Sequence, residues 1–291
     1  MKRIIFFLFF SLVLTYNITG QEAGQNLADF NLSGFSDKGK KSWEISGKSA
    51  DIFSEIVKIK DLTARLYRDE EDIELKAKEA DFNKTSGFLN LKNDVLITTT
   101  KGATLTTKTL SWDRTQQIIS TKDRVDIQRE NIIASALGAF AQTDLKKVNL
   151  EKAVSVQINP KDSDVSNFES NKITITCDGP MEIDYEKNIA IFYNNVKVVK
   201  EDIQIYSDRL DVVFIKNTPK AEQATNTYST QIKNIIASGN VRIIKGDNVS
   251  FSNEAIYEPQ DKKIILKGSP RLIIYPKEEE LNAASGDKRS Y

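Results

Sequence analysis

The chain reads as an all-β protein built from strand repeats. Three observations predict this: short runs of alternating apolar and polar residues recur along its length, Asn, Asp, Gly and Lys separate the runs, and no long stretch has helical period. Runs such as Val95-Leu96-Ile97-Thr98, Val196-Lys197-Val198-Val199, Ile203-Gln204-Ile205-Tyr206 and Val241-Arg242-Ile243-Ile244 are rich in residues that suit a pleated, half-buried surface.

At the start, Lys2 and Arg3 precede the apolar stretch Ile4 to Leu14, and a polar drift follows through Asn17, Thr19 and Gly20. A charged start followed by such a stretch matches a secretory signal. It is short of the ~20 residues that span a bilayer comfortably. No small-x-small cleavage site follows, because Ile18 stands three positions back from a cut after Gly20. Residues 1–22 are therefore expected to be a cleaved signal or a retained N-terminal anchor with residues 4–19 in the membrane. Either reading puts the remainder outside the cytoplasm. A lipoprotein anchor is ruled out, since no cysteine lies near the junction.

A repeat follows. Ile52, Phe82 and Trp112 lie thirty residues apart, with Ala50, Ala80 or Leu110 two positions before each and Ile59, Leu89 or Ile119 seven after. A turn and a fresh strand are then expected at Asn93-Asp94-Val95 and Asp123-Arg124-Val125. The pattern resumes at Ile183-Asp184-Tyr185, Ile191 and Asn194-Asn195-Val196, and again at Ala255-Ile256-Tyr257, Ile264 and Gly268-Ser269-Pro270. Each unit fits two or three strands of a stacked antiparallel structure whose neighbours bury its apolar face. Asn131 to Asn149 is the one segment whose composition admits a helical turn. The polar stretch Asn159 to Asp164 suggests a boundary between domains at 27–160 and 165–276. Lys216 to Lys233 looks like an exposed loop, and residues 277–291 like a disordered tail.

Composition narrows the function. Lysine plus arginine (41) balances aspartate plus glutamate (41), and no run of five or six like charges appears, so no global field draws nucleic acid or an anionic membrane. Histidine is absent, which removes the commonest general base and metal ligand and every Ser-His or Cys-His arrangement. One cysteine, Cys177, excludes an internal disulfide and a cysteine-based zinc cluster, and its place in Ile173-Thr174-Ile175-Thr176-Cys177 reads as a small strand residue. Asp81, Asp113, Asp184, Asp208 and Asp211 recur beside apolar strand residues; carboxylate pairs can cleave glycosides, yet recurrence in every unit fits turns and solvated faces better. Gly102, Gly239 and Gly268 are expected in turns. No catalytic residue, metal site or cofactor is expected.

Trp43-Glu44-Ile45-Ser46-Gly47-Lys48-Ser49-Ala50, Lys76 to Phe82, Val95 to Gly102 and Leu110-Ser111-Trp112-Asp113 give the first half its likeness. It resembles LptC, the periplasmic component associated with the lipopolysaccharide-export ABC transporter. The second half resembles the LptA/OstA-like periplasmic bridge domain through Asn195 to Val198, Ile205 to Leu210, Ala237-Ser238-Gly239-Asn240-Val241 and Leu266 to Pro270. LptC and LptA are usually separate chains, whereas here both patterns run consecutively. The resemblance implies two consecutive partly open β-jelly-rolls, folded antiparallel sheets that shield the acyl chains of lipopolysaccharide on the way from inner to outer membrane. Its partners would be lipopolysaccharide, the inner-membrane ABC transporter at the strands from Trp43 to Ile52, and other bridge or translocon jelly-rolls at Ile264 to Ile274. The inner face would hold Ile183, Tyr185, Ile191, Val196, Val198, Ile205, Leu210, Val212, Val241, Ile243 and Tyr257.

Periodicity alone fits a closed core better than a lipid trough; the resemblance favours the trough. Two rivals remain at this point: a carbohydrate-active β-solenoid with surface aspartates, and a closed structural or adhesive envelope protein.

Overall fold

The computed structural model describes residues 25–275 except 37, 69–70, 114, 130, 143–146, 160–171, 216–230 and 262. The expected signal or anchor, the domain boundary, most of the loop at 216–233 and the tail lie outside the described residues. What is described is strand and turn, without a helix.

Nine strands form the first half: β1 (Gln25–Phe35), β2 (Lys41–Ile52), β3 (Ile56–Leu66), β4 (Ile73–Asn83), β5 (Phe88–Thr99), β6 (Thr104–Asp113), β7 (Ile118–Arg129), β8 (Ile132–Gln142) and β9 (Lys147–Ile158). The second half adds β10 (Ile173–Cys177), β11 (Met181–Asp184), β12 (Ile189–Lys200), β13 (Ile203–Ile215) and β14 (Gln231–Lys245). It ends with β15 (Asn248–Glu258), β16 (Lys263–Lys267) and β17 (Arg271–Ile273). All seventeen belong to one antiparallel sheet. Asn131 to Asn149 holds β8 and the start of β9 rather than a helical turn, because Ala134 and Ala136 face a buried core and cross-strand pairing outweighs their helical propensity. Antiparallel pairing throughout also rules out solenoid coils for the described residues.

A single sheet without helices can bury one face only by folding over on itself. The strands show how. In an ordinary strand inward residues are two apart. In β12, however, Phe192 and Val196 are both buried with three residues between them, and in β13 Ser207 and Leu210 are buried with two between. The same spacing separates Leu91 from Val95, Leu150 from Val154 and Ala237 from Val241. The extra residues take the longer, convex path around a bend. Positive φ angles at Asn93, Asp94, Asn194, Asn195 and Asn240 mark them, and pairing breaks at the same places. Asn and Gly tolerate that backbone region at low cost. Asn93-Asp94 and Asp123-Arg124 therefore begin no fresh strand; they are bulges inside long strands. Gly239 (φ 77°) belongs to such a bulge and not to a turn, whereas Gly102 (φ 82°) does sit in the turn after β5.

Inward residues beside the bend form a crease across the sheet: Leu62, Ala77, Val95, Thr107, Val125, Ala136, Val154, Cys177, Val196, Ser207, Val241 and Ser252, each at most 8 % exposed. Valines alternate with small residues, so the closest part of the fold fills without overpacking. Phe192 before the bend and Val198 after it belong to one apolar cluster, which is the direct sign that the two arms face each other.

That cluster runs from Val125 to Ala255 and so crosses from one half to the other. A smaller cluster holds Leu62, Ala77, Ala80, Leu91, Val95 and Leu110. Between them the buried hydroxyls of Thr107 and Thr121 meet at 3.2 Å. The halves are joined by pairing as well as by the chain: β9 pairs with β10 and with β11, and the Ala153 N–H donates to the Asp178 carbonyl at 3.0 Å.

At that joint Gly179 (φ 103°) lies so close to the Glu151 carbonyl that a Cβ would collide with immovable backbone, whereas a Cβ on Gly102 would meet nothing. We expect Gly179→Ala to cost ~2–5 kcal/mol and Gly102→Ala only ~1 kcal/mol. Urea unfolding midpoints check this; equal shifts for the two variants would show that the joint tolerates the side chain.

Candidate functional site

The inner face of the second half is the candidate site. Its floor is the crease, and burial falls away from it along both arms. Leu210, Val212, Val196 and Val241 are at most 2 % exposed. Ile203, Ile205, Phe214, Ile232 and Tyr257, farther out, are only partly covered. Near the C-terminal edge the inner face carries a small apolar indentation lined by Ile205, Ile235, Ala237, Ile243, Ala255, Tyr257 and Ile264. No polar residue lines it apart from Tyr257.

The sequence-predicted inner residues divide as follows. Val196, Val198, Leu210, Val212, Val241 and Ile243 are buried in the main cluster, and Ile183, Ile205 and Tyr257 pack against it. Ile191 and Tyr185 lie elsewhere. Ile191 pairs with Glu182 while its neighbour Phe192 pairs with Met181 inside, so Ile191 points outward. Tyr185 follows the end of β11 and is 50 % exposed. The sequence reading missed Phe192, Met181, Ile235, Ala237 and Ala255. Counting alternation back from Val196 across the Asn194-Asn195 bulge would have found Phe192.

The recurring aspartates are all engaged locally. Asp81 meets Lys92 at 2.6 Å and Asp211 meets Arg209 at 2.7 Å. Asp113 accepts from the Thr115 and Gln116 N–H groups at 2.8 and 2.9 Å, and Asp208 accepts from Asn240 Nδ2 at 2.8 Å. Asp184 accepts from the N–H groups of Glu186 and Lys187 at 3.0 Å; the Lys187 bond above all holds its carboxyl below the ordinary range. Such carboxylates close turns and bulges. No group of three or more metal-ligating side chains occurs among the described residues. Cys177 is a buried crease residue, and burial pushes its thiol up, away from reactivity.

Among the described residues the sheet has two open edges. One is β16–β17, at the expected place, with Ile264, Leu272 and Ile273 41–59 % exposed. The other is not the Trp43–Ile52 strand: β1 lies outside it and pairs with β2 alone. The weak alternation of Leu27, Phe30, Leu32 and Phe35 was the only sign of β1 in the sequence. Glu44 ties this edge down, accepting from Asn31 Nδ2 at 2.8 Å and Tyr67 OH at 2.9 Å and meeting Lys41 Nζ at 2.9 Å. The Asn31 bond, then those from Lys41 and Tyr67, lower the Glu44 carboxyl to about 2. A depressed carboxyl contributes stability above its unfolded value and loses it as pH falls through the folded one. We expect the β1 clamp to be whole at pH 5 and to weaken between the ordinary 4.5 and about 2. An NMR titration of the Glu44 carboxyl would read a midpoint near the lower value; a midpoint at 4.5 would mean the clamp does not hold in solution.

Comparison with known families gives two matches. Residues 25–159 match the family described as lipopolysaccharide-assembly, LptC-related. Residues 180–290 match the LptA/(LptD N-terminal domain) LPS transport protein family. A comparison with curated proteins returns no match. The order of the two matches is the order of the sequence motifs, and both families support a role in lipopolysaccharide transport.

Proposed function

We propose that this chain, an LptC-related unit followed by an LptA/LptD-type unit and so of the lipopolysaccharide-transport families, carries lipopolysaccharide across the periplasm by covering its acyl chains inside the folded sheet. The observation that supports the reading is the inner face itself: apolar along both arms, tightly packed beside the crease and only partly covered toward the rims. Each methylene kept from water is worth ~0.8 kcal/mol, so an acyl chain leaving a membrane needs continuous cover. A sheet folded along one crease would let the sugar headgroup stay in water at its rims. The work needs no catalytic residue, and none of the recurring aspartates is placed for one.

The open edges complete the reading. Unpaired strand edges are a liability unless another strand covers them. We assign β1 to the side of the inner-membrane ABC transporter and β16–β17 to the next bridge or translocon jelly-roll, each joined by added-strand pairing. The β9–β10 pairing within this chain is a precedent for such a joint. Residues 4–19 would export the protein or hold it at the inner membrane.

Photocrosslinking from a benzophenone amino acid tests the trough. Placed at Ile243, Val198 or Ile183 it should form lipopolysaccharide adducts, while Asp211 and Glu254, pointing outward beside buried Leu210 and Ala255, should form at least tenfold fewer. A folded protein with no adduct at any inner position would instead be a closed envelope scaffold.

A further inference from the structure

On the outer face of one arm of the second half, beside the crease, lies a row that lipid transport inside the trough does not use. Lys197, Tyr206, Arg242, Phe251 and Arg271 stand side by side on β12, β13, β14, β15 and β17. Lys197 Nζ lies 5.5 Å from the Tyr206 ring centre and the Arg242 guanidinium 4.4 Å from it, while Arg271 lies 5.6 Å from the Phe251 ring. Cations thus alternate with rings across five strands, a span of ~20 Å at the usual strand spacing. Among the described residues none of the three cations meets a carboxylate at ion-pair distance, unlike Lys92, Arg124 or Arg209 elsewhere on the sheet. A guanidinium held flat on a ring keeps its N–H donors unspent and presents them to a planar or tetrahedral oxyanion.

The next outer row toward the rim is aliphatic: Val199, Ile244, Val249 and Ile273, with Gln204 among them. Neither row contains a carboxylate. Among the described residues of β12 to β14 and their turns, carboxylates stand at Asp208, bonded to Asn240 at the bend, and at Glu201, Asp202 and Asp247 in the turns beyond the rim. The apolar row ends at the open edge, where Ile274 and Tyr275 are 62 % and 61 % exposed.

We propose that this outer arm is a docking surface for the phosphate headgroups of an anionic lipid bilayer. Cations fixed on rings suit phosphate, and an aliphatic row beside them suits the acyl boundary below the headgroups. A soluble phosphorylated glycan would use the cations and leave the aliphatic row exposed, which is why the bilayer is favoured. The proposal goes beyond acyl-chain carriage, and it stands whether or not the trough carries lipid.

The test needs a readout local to this arm, because the apolar N-terminal segment will itself seek membranes. The full chain carrying Ile244→Cys is labelled with a polarity-sensitive fluorophore, native Cys177 being buried, and mixed with phosphatidylglycerol or phosphatidylcholine vesicles. A blue shift with phosphatidylglycerol alone, weakened by salt, is expected. Lys197→Gln, Arg242→Gln and Arg271→Gln should each weaken the partition about fivefold. Lys152→Gln, on β9 of the first half, should leave it unchanged. Arg271, on the terminal edge strand, keeps the test decisive if a central variant folds poorly. Equal shifts on both vesicles, no shift on either, or an equal shift with a soluble phosphorylated glycan would each overturn the proposal. Trough crosslinking on the same samples reports separately on lipid carriage.

Discussion

Everything in this protein depends on bending one antiparallel sheet until its apolar face meets itself. Cross-strand pairing fixes neighbouring strands at one spacing, so the bend must pass through every strand at the same level or the ladder tears. Extra residues at that level solve the problem: the convex path gains one or two positions while the concave side keeps a continuous row of buried residues. Valine next to the bulge and alanine, serine, threonine or cysteine on intervening strands make that row thin enough to close. The inner face and the outer rows are all laid out by distance from this line.

The crease also decides where the molecule is one body and where it divides. The family match changes between residues 159 and 180. The apolar cluster does not change there; Leu150, Val154 and Val156 of the LptC-like half pack in the same cluster as Met181, Phe192 and Leu210 of the second. The cores separate instead near β6 and β7, where Thr107 and Thr121 replace the larger aliphatic residues of the crease. The joint between the two matched units is part of the interior of one cluster.

Much of this was legible in the sequence because period-two alternation is a direct consequence of strand geometry. Val196, Val198, Val241 and Ile243 stood out on that ground and are buried. The bend was not legible. Asn93-Asp94 and Asn194-Asn195 carry turn chemistry, since turns and bulges both need positive φ, and only pairing distinguishes them. Ile191 was misplaced for that reason: cutting β12 into two strands removed the rule linking its two arms. β1 was missed because an edge strand buries little, so its alternation is blurred by Asp29 and Asn31. Glu44, its partner in the clamp, sits in a motif whose family likeness said nothing about its charge.

One last consequence concerns direction. Since β10 and β11 share the place between β9 and β12, and β16 and β17 share the place beside β15, the seventeen strands fill fifteen positions. The parity is odd, so β1 and the β16–β17 edge point the same way along the molecule. Two copies set in line, with their inner faces turned alike, would have to meet in parallel, a pairing absent among the described residues. Like edges can meet antiparallel about a two-fold axis, each such join pairing two copies head to head. A unit that begins as the second half does, with a strand opposed to β16–β17, keeps the antiparallel rule and can be added again. Strand polarity therefore sets a condition on anything that extends the ladder: a strand laid against the β16–β17 edge must run opposite to it to keep the antiparallel rule.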